Sequence, residues 1–82
     1  MAEETILVVD DEVANVQKVR RTFVHRYPVL SAVNGSEALE IVQKHGEIAV
    51  IIVDQRMPGM TGIELLQQTL PRLPHAVRII LT

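Results

Sequence analysis

The sequence has no cysteine and no tryptophan, and one tyrosine and one phenylalanine are its only aromatic residues. Without cysteine, a disulfide framework and a thiolate metal site are both excluded, which is compatible with a reducing cytosol. Because aromatic residues are so scarce, the core must be built from aliphatic side chains, and 48% of the chain is apolar. This composition is typical of a globular protein.

Long hydrophobic runs and a strong excess of charge are also missing. No apolar stretch approaches the roughly 20 residues of a membrane-spanning helix, and the acidic start "MAEETILVVDDE" is unlike a signal peptide. The net charge of -2 gives no electrostatic basis for binding nucleic acid. We therefore expect a cytoplasmic protein whose domain binds neither membranes nor nucleic acid.

The 82 residues have room for one small domain, which we assign to residues 1–82. Short apolar runs predict four strands, at residues 6–9, 29–33, 49–53 and 77–81. Most of these runs are continuous rather than alternating, as in strands that are covered on both faces of a parallel sheet.

The three segments between the runs have helical spacing. In the first, apolar residues recur at steps of three and four, at Val13, Val16, Val19 and Phe23. In the second, Ser36 is a candidate N-cap. In the third, Ile63, Leu66 and Leu70 share one face, and Pro71 ends the segment.

The order of elements is therefore β-α-β-α-β-α-β, which predicts an open parallel α/β sheet with helices on both faces. Ligands of such sheets lie beyond the carboxyl ends of the strands. Asp10 and Asp11 follow the first predicted strand, and Asp54 follows the third. Carboxylates brought together repel one another unless a cation lies between them, and these hard oxygen donors favour Mg²⁺, with Mn²⁺ as the alternative.

Three fragments together resemble the receiver domain of two-component response regulators. They are "ILVVDDE" at the first strand, "IIVDQRMPGMTG" at the third and "RIILT" at the fourth, and the match runs over residues 6–82. The resemblance implies a flavodoxin-like sheet of strand order 2-1-3-4. It also implies a phosphoacceptor module rather than a turnover enzyme.

The resemblance also implies a role for each site residue. Asp54 would accept a phosphoryl group from a sensor histidine kinase, and Thr82 would be the switch hydroxyl. Asp11 and Asp54 would bind Mg²⁺ directly, Asp10 would bind it through water, and Arg56 would contribute its backbone carbonyl. The role of the Arg56 side chain stays open.

The sequence departs from the family pattern at its end, because no fifth strand with its lysine and no last two helices follow Thr82. We expect the 82 residues to be a partial receiver domain of a longer regulator, with an output domain elsewhere. The fourth strand would then be an open apolar edge, and we predict that the fragment associates with another copy.

Two alternatives stay open. A receiver-like scaffold would bind proteins or dimerise without being phosphorylated. An aspartyl-phosphate hydrolase of the haloacid dehalogenase kind also has an Asp nucleophile after a strand, but a second Asp is expected two residues later, where this chain has Arg56.

Overall fold

The structure is a computed structural model that describes residues 4–81. Strands and helices alternate along the chain, so the predicted order is confirmed. The elements are β1 (Thr5–Val9), α1 (Val13–Phe23), β2 (Val29–Ala32), α2 (Gly35–Lys44), β3 (Ile48–Asp54), α3 (Gly62–Thr69) and β4 (Val77–Leu81). No helix in this part of the chain combines the length and the apolar character needed to cross a membrane.

The four strands form one parallel sheet in the order β2-β1-β3-β4, as predicted. The register brings the carboxyl ends of the strands level with one another. Val9 lies opposite Ala32 on one side and Val53 on the other, and Asp54 lies opposite Leu81. The residues that follow β1 and the last residue of β3 therefore meet at one edge of the sheet.

Side chains alternate across the strands and so build an apolar cluster on each face of the sheet. On one face, Ile6, Val8 and Ile52 pack with Val16 of α1. On the other face, a larger cluster joins the strands to α2 and α3 through Leu7, Val9, Ile51, Val53, Ala38, Val42, Leu65 and Leu66. Helices thus cover both faces, which is the flavodoxin-like arrangement.

The N-cap of α2 differs from the prediction. Asn34, not Ser36, is the N-cap, and its Oδ1 accepts a hydrogen bond from the backbone N–H of Glu37 at 2.8 Å. Asparagine and serine are about equally good N-caps. With Asn34 as the N-cap, the helix begins at Gly35, two residues earlier than it would with Ser36 as the N-cap.

The buried face of α3 coincides only in part with the face that Ile63, Leu66 and Leu70 share. Gly62, Leu65, Leu66 and Thr69 face the sheet, whereas Ile63 and Leu70 are about half exposed. The residues at steps of three and four still define the face, but two of them are not large and apolar. Gly62 allows a close approach to β3, and the Thr69 hydroxyl is satisfied because it donates to the Leu66 carbonyl at 2.8 Å.

Candidate functional site

The three aspartates of the sequence come together at the carboxyl edge of the sheet. One carboxylate oxygen from each of Asp10, Asp11 and Asp54 lies within 4.8 Å of the others. The three side chains differ in environment, because Asp10 is buried, Asp54 is half-buried and Asp11 is exposed. Among residues 4–81, no ion pair reaches any of them.

Asp10 is buried, with only 3% of its surface exposed, and hydrogen bonds hold both its backbone and its side chain in place. Its backbone N–H donates to the Ala32 carbonyl at 3.1 Å and so extends the pairing of β1 with β2. Its Oδ1 accepts a hydrogen bond from the Glu12 backbone N–H at 2.9 Å, and its Oδ2 accepts one from Asn15 Nδ2 at 3.1 Å. A buried carboxylate needs such donors, and here each oxygen has one.

Asp54 ends β3 and begins the loop that leads to α3. Its Oδ1 accepts a hydrogen bond from the Arg56 backbone N–H at 3.3 Å. The loop turns at Gly59, whose φ of 85° lies in the left-handed region that glycine adopts without strain. The Met57 side chain is buried in the core cluster and anchors the middle of the loop. Arg56 itself is exposed.

Gln55 ties both ends of this loop together. Its backbone carbonyl accepts a hydrogen bond from the Gly62 N–H at 3.2 Å, and its side-chain Oε1 accepts one from the Ile63 N–H at 3.0 Å. The first turn of α3 therefore lies directly against the residue that follows Asp54. A Cβ at Gly62 would come within 2.8 Å of the Asp54 carbonyl oxygen, so the contact needs glycine.

The N-terminus of α3 is further fixed by a capping box. Thr61 Oγ1 accepts from the Glu64 N–H at 3.2 Å, and Glu64 Oε1 accepts from the Thr61 N–H at 3.1 Å. Hydrogen bonds from the Thr61 backbone and side chain lower the pKa of Glu64 from its usual value of 4.5. The loop that carries Arg56 thus ends at a well-capped helix.

The residues at this edge fit a hard divalent cation. The donors are carboxylate oxygens with no histidine or cysteine among them, which is the chemistry that Mg²⁺ and Mn²⁺ prefer. Two oxygens on opposite sides of Mg²⁺ stand about 4.2 Å apart, since each Mg–O distance is about 2.1 Å. Separations within 4.8 Å are therefore close to what direct binding, or binding through one water, requires.

The placement of the predicted site residues can be compared with the sequence. Asp10, Asp11 and Asp54 are brought together, and Arg56 lies next to them in the loop after β3. Thr82 lies outside the described residues. The roles assigned to these residues stay predictions.

Two further residues of the site were not identified from the sequence. Asn15 contacts Asp10, and Gln55 closes the loop after Asp54. A signal for Asn15 did exist, because side chains in the first turn of a helix lean back towards its N-terminus. No comparable pattern marks Gln55.

The comparisons with known proteins agree with this geometry. The family model described as the response regulator receiver domain matches residues 6–82. The hydrogenase transcriptional regulatory protein HoxA of Cupriavidus necator is 39% identical over 80 residues, which cover 98% of this chain and 16% of that protein. Sporulation initiation phosphotransferase F of Bacillus subtilis is 36% identical over 69 residues, which cover 83% of this chain and 55% of that protein.

Solved structures show the same fold. The chemotaxis protein CheY4 of Vibrio cholerae matches with a TM-score of 0.88 and 33% identity, over 96% of this chain and 68% of that one. A structure described as adenylate cyclase from Rhodopirellula baltica matches with a TM-score of 0.91 and 36% identity, over 99% of this chain and 60% of that one. The family model and the fold agree, and the chain belongs to the response regulator receiver domain family.

Proposed function

We propose that the chain is a phosphoacceptor module that takes a phosphoryl group onto Asp54 from a phosphohistidine of a sensor histidine kinase. The observation that carries this proposal is the meeting of Asp54 with Asp10 and Asp11 at the carboxyl edge of the sheet. Asp54 is half-buried, so its carboxylate can be reached by a donor. Asp10 and Asp11 belong to the cation site rather than to the nucleophile.

The transfer forms one bond and breaks one bond. A carboxylate oxygen of Asp54 attacks phosphorus, and an O–P bond forms as the P–N bond to the donor imidazole breaks. The imidazole nitrogen keeps the electron pair and takes a proton from water. The product is an acyl phosphate on Asp54, so one event modifies the module and no turnover follows.

The site residues position the reacting groups. Asp11, Asp54 and the Arg56 carbonyl would hold Mg²⁺, or Mn²⁺ in its place, and Asp10 would hold it through water. When bound, the cation neutralises charge that develops on the phosphoryl oxygens. The Arg56 N–H, which donates to Asp54 Oδ1, keeps the carboxylate oriented. Thr82 is proposed as the hydroxyl that responds to the new charge on Asp54.

Intact-mass analysis after incubation with a small acyl phosphate donor and Mg²⁺ tests the proposal. We expect one phosphoryl adduct that is labile in alkali, that disappears when EDTA removes Mg²⁺ and that is absent in Asp54→Asn. Glu40→Gln, which changes an exposed carboxylate on α2, is the control and should form the adduct normally. A folded wild-type chain without any adduct would contradict the proposal and favour the scaffold. Sustained release of phosphate from a phosphomonoester would favour the hydrolase.

The partners follow from the family and are part of the proposal. The chain spans 16% of HoxA and 55% of sporulation initiation phosphotransferase F, and the output that the phosphoryl group would control is proposed to belong to a further domain or to a separate protein. The donor would be a sensor histidine kinase, and the chain itself would act in the cytoplasm.

One observation favours a second property, which is self-association of the 82-residue chain. Val77, Ile79 and Leu81 of β4 are 57%, 41% and 43% exposed, and they form an apolar stripe at the edge of the described sheet. Two such edges can pair and cover their stripes. Sedimentation should give a dimer or larger species that Ile79→Lys dissociates. A folded wild-type monomer at low micromolar concentration would overturn this part of the proposal.

A further inference from the structure

Asn15 is the only described side chain that donates a hydrogen bond to the Asp10 carboxylate. The other donor is the backbone N–H of Glu12, which bonds to Oδ1, whereas Asn15 Nδ2 bonds to Oδ2 at 3.1 Å. The two donors therefore bond to different oxygens of the same carboxylate. Rotation of the Asp10 side chain would break at least one of these hydrogen bonds.

The hydrogen bond of Asn15 is not helix capping. The N-cap of α1 is Glu12, whose side chain makes no capping hydrogen bond, and the Asn15 backbone N–H already bonds to the Glu12 carbonyl. The amide side chain instead points back along the helix to Asp10, which lies outside α1. Its contact is thus with the carboxylate group at the edge of the sheet.

The hydrogen bond from Asn15 also helps to offset the repulsion between the three carboxylates of the site. Three carboxylates approach one another, and no ion pair among residues 4–81 neutralises any of them. The amide of Asn15 places the positive end of its N–H dipole on the most buried of the three. A neutral donor can stabilise the buried carboxylate without adding a cationic side chain that would compete with a metal ion.

We propose that Asn15 is a positioning residue for the divalent cation site, because it fixes the orientation of Asp10 before the cation binds. The inference rests on the cation site of the proposed function. Residues that hold a metal-binding group in place commonly change metal affinity by about 10- to 100-fold when they are replaced. Asn15 would have an effect of this size although it does not contact the cation.

The test measures cation binding directly. Mn²⁺ is titrated into the protein, and the unbound ion is followed by its electron paramagnetic resonance signal. We expect Asn15→Leu and Asn15→Ala, which both lack the donor, to bind Mn²⁺ about 10- to 100-fold more weakly than the wild type. Gln17→Leu, on the exposed side of the same helix, is the matched control and should bind normally.

A second readout separates positioning from a general structural defect. In the Asn15 variants, the Mg²⁺ concentration for half-maximal phosphorylation of Asp54 should rise by the same factor. The rate at saturating Mg²⁺ should stay close to that of the wild type, since the variants weaken cation binding but keep Asp54 and Asp11. Equal loss at all Mg²⁺ concentrations would overturn the inference. Because alanine is the best helix former, Asn15→Ala should keep α1 folded, and circular dichroism checks this.

The failure of this inference can be told apart from the failure of the proposed function. If Asp54→Asn binds Mn²⁺ as tightly as the wild type does, the proposed cation site is wrong. If Asp54→Asn abolishes binding but both Asn15 variants bind as the wild type does, the site stands and Asn15 has no positioning role.

Discussion

β1 and β4 look alike in sequence but occupy different environments. Each is a parallel strand of five residues, "TILVV" and "VRIIL". Every residue of β1 is buried, because the strand lies between β2 and β3 and is covered on both faces. In β4, exposed and half-buried residues alternate, because the described sheet ends there and its only strand neighbour is β3.

The difference between the strands explains why the aspartates of the site lie at the ends of the inner strands. Asp10 directly follows the fully buried β1, and Asp54 ends β3, its inner neighbour. Strands that are packed on both faces fix the backbone, so the positions from which Asp10 and Asp54 extend are also fixed. An apolar run therefore predicts a strand, whereas its neighbours in the sheet decide whether it is rigid enough to carry a site.

The largest effect is expected from a cavity in the inner strand. Leu7→Ala removes a side chain with no exposed surface and should lower the free energy of unfolding by about 2–5 kcal/mol. Urea unfolding followed by circular dichroism measures this loss. A loss below about 1 kcal/mol would mean that β1 is not the packed centre of the domain.

A smaller loss is expected where β3 meets α3. Gly62→Ala places a methyl group 2.8 Å from the Asp54 carbonyl oxygen and 3.1 Å from Gln55 Cα, both of which are backbone atoms. We expect a loss of about 1–3 kcal/mol in the free energy of unfolding, as for overpacked sites. Gly46→Ala is the matched control, since nothing lies within 4 Å of its added methyl group. Equal effects at both positions would show that α3 does not approach β3 this closely.

The sequence predicted the frame of the site well, because its signals there are local. A buried run that ends in aspartate places Asp10 and Asp54 at strand ends, and the parallel sheet aligns those ends. The less successful predictions depended on choices between similar residues. Ser36 and Asn34 are equivalent caps, and only the end of β2 decides between them.

For a different physical reason, the large apolar residues of α3 do not by themselves identify its buried face. Ile63 and Leu70 are apolar, but the helix approaches the sheet through Gly62 and Thr69, whose burial depends on backbone contact and on a hydrogen bond. Asn15 was missed because its partner lies outside the helix that carries it. Such contacts across element boundaries appear only when the fold is assembled.

A still smaller effect is expected at the start of α3, and it depends on pH. Loss of the N-cap in Thr61→Ala should lower the free energy of unfolding by about 1 kcal/mol. Because hydrogen bonds to Thr61 lower the pKa of Glu64 in the folded state, its contribution is present above the unfolded pKa and is lost as pH falls through the folded pKa. The window therefore lies at and below about pH 4.5.

Nuclear magnetic resonance titration of the Glu64 carboxyl group checks this prediction. Its pKa should lie below 4.5 in the wild type and should rise only partway towards 4.5 in Thr61→Ala, because the side-chain hydrogen bond is lost while the backbone N–H of residue 61 can still donate. A Glu64 pKa that is not lowered below 4.5 in the wild type would show that the capping box is not formed in solution.

The smallest effect on the free energy of unfolding is expected in β4. Its size tests whether β4 is more exposed than β1 in solution. Ile79→Thr keeps a β-branched side chain at a position that is 41% exposed, so the free energy of unfolding should fall by less than about 1 kcal/mol. Urea unfolding at two protein concentrations separates two cases. A small loss that is independent of concentration means that the outer face of β4 contacts water. A larger loss that grows with concentration means that another copy covers Ile79, and β4 would then be as buried in solution as β1 is within the chain.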